Sequence, residues 1–400
     1  MKRLRIALSG VGGFGRVHAE SAQILAKEGL VDLVAFAEPV EGAPAAAELC
    51  AAGARRYHDF YEMLAAESEL DLVCVATPIH HHVPMARAAL ERGLHVFVEK
   101  PPAVRIQDLR ELIALQQRSG CFCAVGFHDV ARPPVITLKH RLCEGAIGAI
   151  HAIHAEARWS RPASYYARSD WAGRTRMNND FILDGPMNNS CAHVINLAAY
   201  LAGPEPYEFA KPLWVQGELY RANDIEGEDT NCLRALTDTG VEICVHITQC
   251  AAENHPRTWT IIGDTGVARL HDHDGVILPL ERIEMDERER PTLTLMRRLI
   301  EVILGSDEPL LMPLAESEGF LLISNGAYES SRKIHRIPPQ FIQVIPHNGS
   351  STTTILDIDH HLLEAAATGR LLSEYEVPWA VPTLPYDVSR YTEFPTHWNG

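Results

Sequence analysis

Leu4-Arg5-Ile6-Ala7-Leu8-Ser9-Gly10-Val11-Gly12-Gly13-Phe14-Gly15 is a short, apolar, β-prone run that ends in a glycine loop. Gly10, Gly12 and Gly15 match G-x-G-x-x-G; a helical stretch follows over 17–28, and a second apolar strand over 30–37 ends at Glu38. A glycine triplet alone carries little, but strand, glycine loop, helix, strand and acid in that order describe a dinucleotide-binding βαβ unit. Gly10 permits the tight turn, Gly12 lets the backbone approach a pyrophosphate, and Gly15 lets the helix pack on the strand. Gly13 and Phe14 share the loop and are cofactor-binding candidates with them. The pyrophosphate would rest on the helix N-terminus, where N–H groups and the helix dipole favour an anion. Glu38 stands where a carboxylate accepts from ribose hydroxyls and repels a 2′-phosphate, and Pro39-Val40-Glu41 brings no Arg or Lys. NAD is therefore expected in preference to NADP.

The alternation continues. A buried strand over 70–76 precedes Thr77-Pro78, a helix spans about 82–92 up to Gly93, and a strand over 95–98 leads into Glu99-Lys100-Pro101-Pro102. Ligands of open α/β sheets collect beyond the carboxyl ends of the strands, where Thr77, Pro78, Glu99 and Lys100 all fall. On Gly10, Gly12, Gly15, Glu38, Thr77-Pro78 with His82, and Glu99-Lys100-Pro101, the chain resembles the Gfo/Idh/MocA family (glucose-fructose oxidoreductase, inositol dehydrogenase and relatives) over residues 1–340. The resemblance implies that Thr77, Pro78 and His82 belong to the cofactor site. It also implies that Lys100 reaches the junction of nicotinamide and substrate, and that the Lys100–Pro101 bond is cis. Ile79 stands where that family often has Asn.

With 400 residues, two domains are expected. The fold expected is an α/β N-terminal Rossmann domain with a parallel sheet, plus an α+β C-terminal domain with a mostly antiparallel open sheet. The Rossmann domain should cover 1–125 and close on the strand around Cys123-Ala124-Val125. Over 126–340 the pattern changes to long alternating strands at about 149–159, 213–221, 231–237, 242–250 and 258–262. Asp238-Thr239-Gly240 and Asp264-Thr265-Gly266 read as hairpin turns. Helices are expected at about 134–143, 293–304 and 313–333. Residues 341–400 exceed the family's usual length; a helix at 355–367 and the aromatics Trp379, Tyr386, Tyr391 and Phe394 predict an ordered extension packed on its own or a neighbouring subunit. By the resemblance, the free face of the second sheet makes a homo-oligomer, a dimer or tetramer.

A net charge of −16 argues against nucleic acid and anionic membrane as partners. No run of eighteen apolar residues predicts a membrane span, and the glycine motif follows Met1-Lys2-Arg3 where a signal peptide would have its apolar core. A cytoplasmic location is expected. Nine scattered cysteines read as reduced thiols. Cys121-x-Cys123 has no second pair, and the consecutive His80-His81-His82 do not converge on one ion, so no metal is expected.

Catalytic chemistry is expected from Lys100 and His193. Oxidising a secondary alcohol needs a base for the hydroxyl proton, best with a pKa near the working pH; histidine starts there, and lysine reaches it by desolvation or a neighbouring cation. Asp184-Gly185-Pro186-Met187-Asn188-Asn189-Ser190-Cys191-Ala192-His193 leads into an apolar helix. The family pattern here is D-x-x-x-H; His193 matches, Asn189 replaces the acid on the same helix face, and an amide is no base. Asp184 is not assumed to substitute. Arg158, Arg161, Arg168, Arg174 and Arg176 interleave with Trp159, Tyr165, Tyr166 and Trp171. Arg158, Trp159, Tyr165, Tyr166, Arg174, Asn189 and His128 are the candidate substrate residues, with an anionic carbohydrate as one reading of the arginines. A loop paired to nearby acids, or a subunit contact, is the other.

Three functions compete. The first is NAD-dependent oxidation of a sugar, polyol or sugar-acid carbinol. The second is an NAD-dependent glycoside hydrolase, working by oxidation, elimination, hydration and reduction without net redox, on an acidic, for example sulfonated, glycoside. The third is a non-catalytic NAD-binding sensor, which the presence of Lys100 and His193 argues against.

Overall fold

The computed structural model describes residues 3–286, 288–347 and 349–400. The chain divides into two compact units, both discontinuous. The first comprises residues 1–103, 108–132 and 288–317; the second comprises 104–107, 133–287 and 318–400.

In the first unit, β1 (Leu4–Ser9), β2 (Val31–Ala37), β3 (Arg55–Tyr57), β4 (Leu72–Val75), β5 (His95–Val98) and β6 (Cys123–Val125) form one parallel sheet in the order β3-β2-β1-β4-β5-β6. Strands covered on both faces must be apolar throughout, and Ile6, Phe36, Val73 and Phe97 are fully buried. Chain order reverses between β1 and β4, which opens the ligand crevice beyond their carboxyl ends. Gly10 follows β1 there and Thr77 follows β4. The first helix is Gly15–Lys27, beginning at the last motif glycine rather than at 17, because the Arg16 and Val17 N–H groups already bond back to Gly13 and Phe14.

Residues 288–317 return to this unit, against the contiguous 126–340 domain expected. The amphipathic helix Pro291–Ile303 buries Leu295, Met296, Leu299 and Ile300 and packs on the helix Gly15–Lys27. Arg297 pairs with Glu28, and the Val125 N–H donates to Met312 O at 3.0 Å, closing the β6 edge. A contact between segments this far apart in sequence leaves no local signal.

The second unit is built on a ten-stranded mixed sheet. Its strands are β7 (Ile150–Arg158), β10 (Pro212–Arg221), β11 (Thr230–Thr237), β12 (Glu242–Thr248), β13 (Thr258–Gly263), β14 (Val267–His271), β15 (Gly275–Ile277), β16 (Arg282–Ile283), β17 (His335–Arg336) and β20 (Tyr386–Asp387). The order is β16-β15-β14-β13-β7-β12-β11-β10-β17, with β20 also on β10. Pairing is antiparallel except at β7–β12 and β10–β17. A small pair, β8 (Arg176–Met177) with β9 (Asp180–Phe181), and a hairpin, β18 (Ile342–His347) with β19 (Ser350–Ile355), stand apart.

Alternate residues of a strand face opposite sides. Val215, Leu233, Val245 and Ile153 are buried on the side of the helices Ala192–Ala202 and Ser317–Ser331. The other side carries Glu218, Arg234, His246 and Cys244, and here the extension lies. His246 bonds to Arg370 O at 2.8 Å, Arg234 donates to Glu374 at 2.8 Å, and Ser373 N–H donates to Glu218 at 3.2 Å. The helix Ile358–Thr368, Leu371, Leu372 and Trp379 share an apolar cluster with Tyr220 and Cys232 of the sheet. Over β7, β12, β11 and β10, the face expected to be free for a partner is thus covered by this chain's own residues 355–380. The extension itself opens with the β18–β19 hairpin, which the sequence reading did not anticipate, and its helix starts at Ile358 rather than 355. No helix among the described residues is long and apolar enough to cross a membrane.

Candidate functional site

In the first unit the glycine loop has the geometry a dinucleotide needs. A Cβ on Gly10, at φ +82°, would fall 2.3 Å from Ala76 O, and one on Gly15 would fall 2.3 Å from Gly10 O. A Cβ on Gly12, by contrast, would meet only Glu38 Oε2, at 3.7 Å. No protein atom demands glycine there, which leaves an open cradle that suits a pyrophosphate. Glu38, nearly buried at the tip of β2, accepts from the Val11 and Gly12 N–H groups through Oε2 and from Val40 N–H through Oε1. Its negative charge is anchored beside the loop. Phe14 projects from the loop, 46% exposed, and stacks on His128 at 5.5 Å between ring centroids.

Beyond β4 and β5, His82 ties two loops together. Its Nδ1 lies 2.7 Å from Pro101 O and its Nε2 lies 2.8 Å from Thr77 O. A carbonyl oxygen thus faces each ring nitrogen; burial holds the imidazole pKa below its ordinary value, and its single N–H donates to one of the two. His82 positions Thr77-Pro78 and the Lys100–Pro101 turn instead of reaching out through its nitrogens, a role that its place in the motif did not distinguish. The Lys100–Pro101 bond is cis. Glu99, buried below, holds His18 Nε2 at 2.8 Å through Oε1 and takes Lys100 N–H at 3.1 Å through Oε2. Burial pushes the Glu99 carboxyl up, but the His18 hydrogen bond and the charges of His18, Lys100 and His128 prevail and hold it below the ordinary value. Lys100 itself is half-buried.

In the second unit, Asn189 lies not on the helix but in the turn before it; the helix is Ala192–Ala202 and contains His193, which is buried. Asn189 N–H bonds to Gly185 O at 2.9 Å, and its side-chain N–H donates to Asp184 Oδ1 at 2.6 Å. Asp184, separated by five positions, is thus brought against Asn189 by the Gly185-Pro186 turn. The other Asp184 oxygen accepts from Gly173 N–H at 2.7 Å and from Arg168 at 3.3 Å. Leu183 precedes it with φ +48°, a left-handed conformation that is strained for a side chain of this kind. Its N–H is held by Thr175 O at 3.1 Å.

Below this turn lies Glu228, which sequence reasoning missed. It is fully buried, accepts from Met187 N–H at 3.1 Å and from the Tyr328 hydroxyl at 2.6 Å, and sits where a Cβ on Gly185 would collide with it. Burial, with a smaller contribution from the Asp184 charge, pushes its carboxyl from the ordinary 4.5 up to about 7. A raised folded-state value means that the native protein holds the proton more tightly than the unfolded chain. Stability is then unpenalised below pH 4.5, falls as pH rises from there to about 7, and is lower above by on the order of 3 kcal/mol. Glu228→Gln should flatten the melting temperature across that window; parallel curves for the two proteins would refute the assignment.

The arginine-rich segment divides. Arg158 is buried and pairs with Asp359 at 3.2 Å and Glu156 at 3.5 Å, so its charge is matched within the fold. Trp159 donates to His255 O at 3.1 Å and carries Arg161 on its ring face. Arg168 lies over Tyr165 and Trp171. Tyr165 and Tyr166 end the short helix Ala163–Tyr166, and the Tyr166 hydroxyl donates to Gln249 at 2.7 Å. Of the five arginines only Arg174 lines the cavity of about 750 Å³ that opens in this unit.

Two family models match the chain: an oxidoreductase family with an NAD-binding Rossmann fold over residues 4–127, and the GFO/IDH/MocA C-terminal domain over 135–269. The rhizopine catabolism protein MocA of Rhizobium meliloti is 29% identical over 153 residues, 38% of this chain and 46% of that protein. UDP-N-acetylglucosamine 3-dehydrogenase of Acidithiobacillus ferrooxidans is 28% identical over 52% of this chain and 57% of its own length. D-apiose dehydrogenase of Paraburkholderia graminis is 26% identical over 69% and 72%. The chain thus spans about half the length of the first two. Among solved structures, the WlbA dehydrogenase of Bordetella pertussis in complex with NADH and UDP-GlcNAcA shares the fold, with a TM-score of 0.68 at 23% identity over 83% of this chain and 97% of that one.

Proposed function

From the chain's membership of the Gfo/Idh/MocA oxidoreductase family, we propose that it is an NAD-dependent enzyme that moves a hydride between a sugar, polyol or sugar-acid carbinol and the cofactor. The observation that carries this reading is the pairing of an open Gly12 cradle and an anchored Glu38 with Lys100 just beyond the next strands of the same sheet. Relatives named as dehydrogenases of sugars and nucleotide sugars support the substrate class.

When bound, the nicotinamide accepts or returns the hydride. Lys100 and His193 are assigned the hydroxyl proton. Asn189, an amide, orients by hydrogen bonding, and Asp184 beside it supplies the carboxylate that the D-x-x-x-H pattern would have placed at 189. Purified protein with NAD and a panel of sugars, sugar acids and aryl glycosides should accumulate NADH at 340 nm in proportion to sugar consumed. Aglycone release that needs NAD but leaves no net NADH would overturn it in favour of the hydrolase.

The preference for NAD rests on Glu38. Its carboxylate would have to accept a 2′-phosphate at close range, and like charges so placed repel. Glu38→Ser should weaken NAD binding about 10–100-fold, the worth of hydrogen bonds to a charged group, while NADP affinity stays level or rises. Fluorescence titration of both cofactors gives the ratio; an unchanged ratio removes Glu38 from the discrimination.

A further inference from the structure

We propose that the second unit binds an organic anion in the cavity where Arg221 and Arg336 stand side by side. These residues are direct register partners in the parallel pairing of β10 and β17, and both line the 750 Å³ cavity. Like charges opposite one another on adjacent strands destabilise a sheet, so this pair calls for a counter-charge.

The fold supplies only part of it. Asp224 is 3.8 Å from Arg336 with both side chains well exposed, a weak pair by nature. Glu226 accepts Thr175 N–H at 3.1 Å and, with Asp224, also lines the cavity, so the lining holds three guanidiniums, those of Arg174, Arg221 and Arg336, against two carboxylates. Arg221 donates one Nη1–H to Ile225 O, while its Nε is buried with no hydrogen-bond partner among the described residues. The volume is that of a small-molecule site, and planar guanidinium forks match carboxylate or phosphate oxygens. Val344 and Thr353 of the β18–β19 hairpin form a further wall, so the cavity depends on the extension beyond residue 340.

The same segment walls the cavity and holds the catalytic turn. Tyr166 donates to Gln249, whose side chain donates to Ser190 at 2.5 Å, and Gly173 N–H holds Asp184. The anion is therefore assigned as part of the substrate. In that respect the inference rests on the carbohydrate reading; the binding of the anion does not.

Isothermal titration calorimetry on the whole chain without NAD, at constant ionic strength, tests it with D-glucose 6-phosphate and D-gluconate, and chloride as control. Saturable binding of a phosphate or carboxylate probe is expected, weakened about tenfold or more by Arg336→Gln and by Arg221→Gln. Arg336 is largely exposed, so its variant carries the test if the Arg221 variant fails to fold. Heats no different from chloride, or an unchanged Kd in Arg336→Gln, overturn the site. Anion binding without NADH from any sugar leaves the site standing and sinks the proposed function. NADH formation without anion binding does the reverse.

Discussion

Lys100→Met should lower kcat for NADH formation by about 10²–10⁴-fold, the range for loss of a positioned acid–base group, and leave the Kd for NAD unchanged. The split follows from geometry. The main chain at Lys100 is fixed from below, because its N–H donates to Glu99 and Glu99 is itself held by buried His18. His82 pins Pro101 O from the other side. Removing the side-chain amine therefore leaves the turn and the glycine loop in place. Single-turnover absorbance at 340 nm measures the rate, and fluorescence titration measures the affinity. A variant that loses NAD binding in step with kcat would make Lys100 a cofactor contact instead. Wild-type kcat in the variant would leave the hydroxyl proton to another group and remove Lys100 from the acid–base assignment.

The second large effect separates the three motif glycines. Gly10→Ala and Gly15→Ala each place a Cβ 2.3 Å from a backbone carbonyl oxygen. Main chain cannot yield as a flexible side chain does, and Gly10 also needs its φ of +82°. Both variants should lose about 2–4 kcal/mol of stability and their NAD binding with it. Gly12→Ala should differ: its new Cβ has ordinary clearance from Glu38, so the melting temperature should hold while NAD affinity collapses, because the space filled is the one a pyrophosphate needs. Thermal melts and cofactor titrations of the three proteins settle it. Equal destabilisation in all three would mean that Gly12 serves the fold and not the ligand.

Much of the candidate site was legible because its signals are local. A glycine with an obligatory conformation, an acid at a strand tip and a lysine after a strand each sit within one βαβ repeat. His193 was singled out by its motif in the same way, and the structure places it, buried, on the helix Ala192–Ala202. The arginine segment was ambiguous, since five cations in nineteen residues say nothing about which meet acids of the fold; Arg158 does, and Arg174 lines a cavity. Asp184 was set aside on sequence distance, yet the Gly185-Pro186 turn closes that distance to a hydrogen bond. Glu228, Arg221 and Arg336 carried no signal at all.

The amino-acid sequence by itself determined the parallel sheet, the dinucleotide loop and the family, because period, glycine geometry and strand-end residues act over a few positions. Tertiary structure alone decided the rest. It returned residues 288–317 to the first unit, laid the extension over the sheet face expected to be free, and buried Glu228 beneath the turn that carries Asn189. It also set Arg221 opposite Arg336. Each of these joins segments distant in sequence, and such contacts are chosen by the burial of whole faces and the matching of buried charge, which no short stretch of residues encodes.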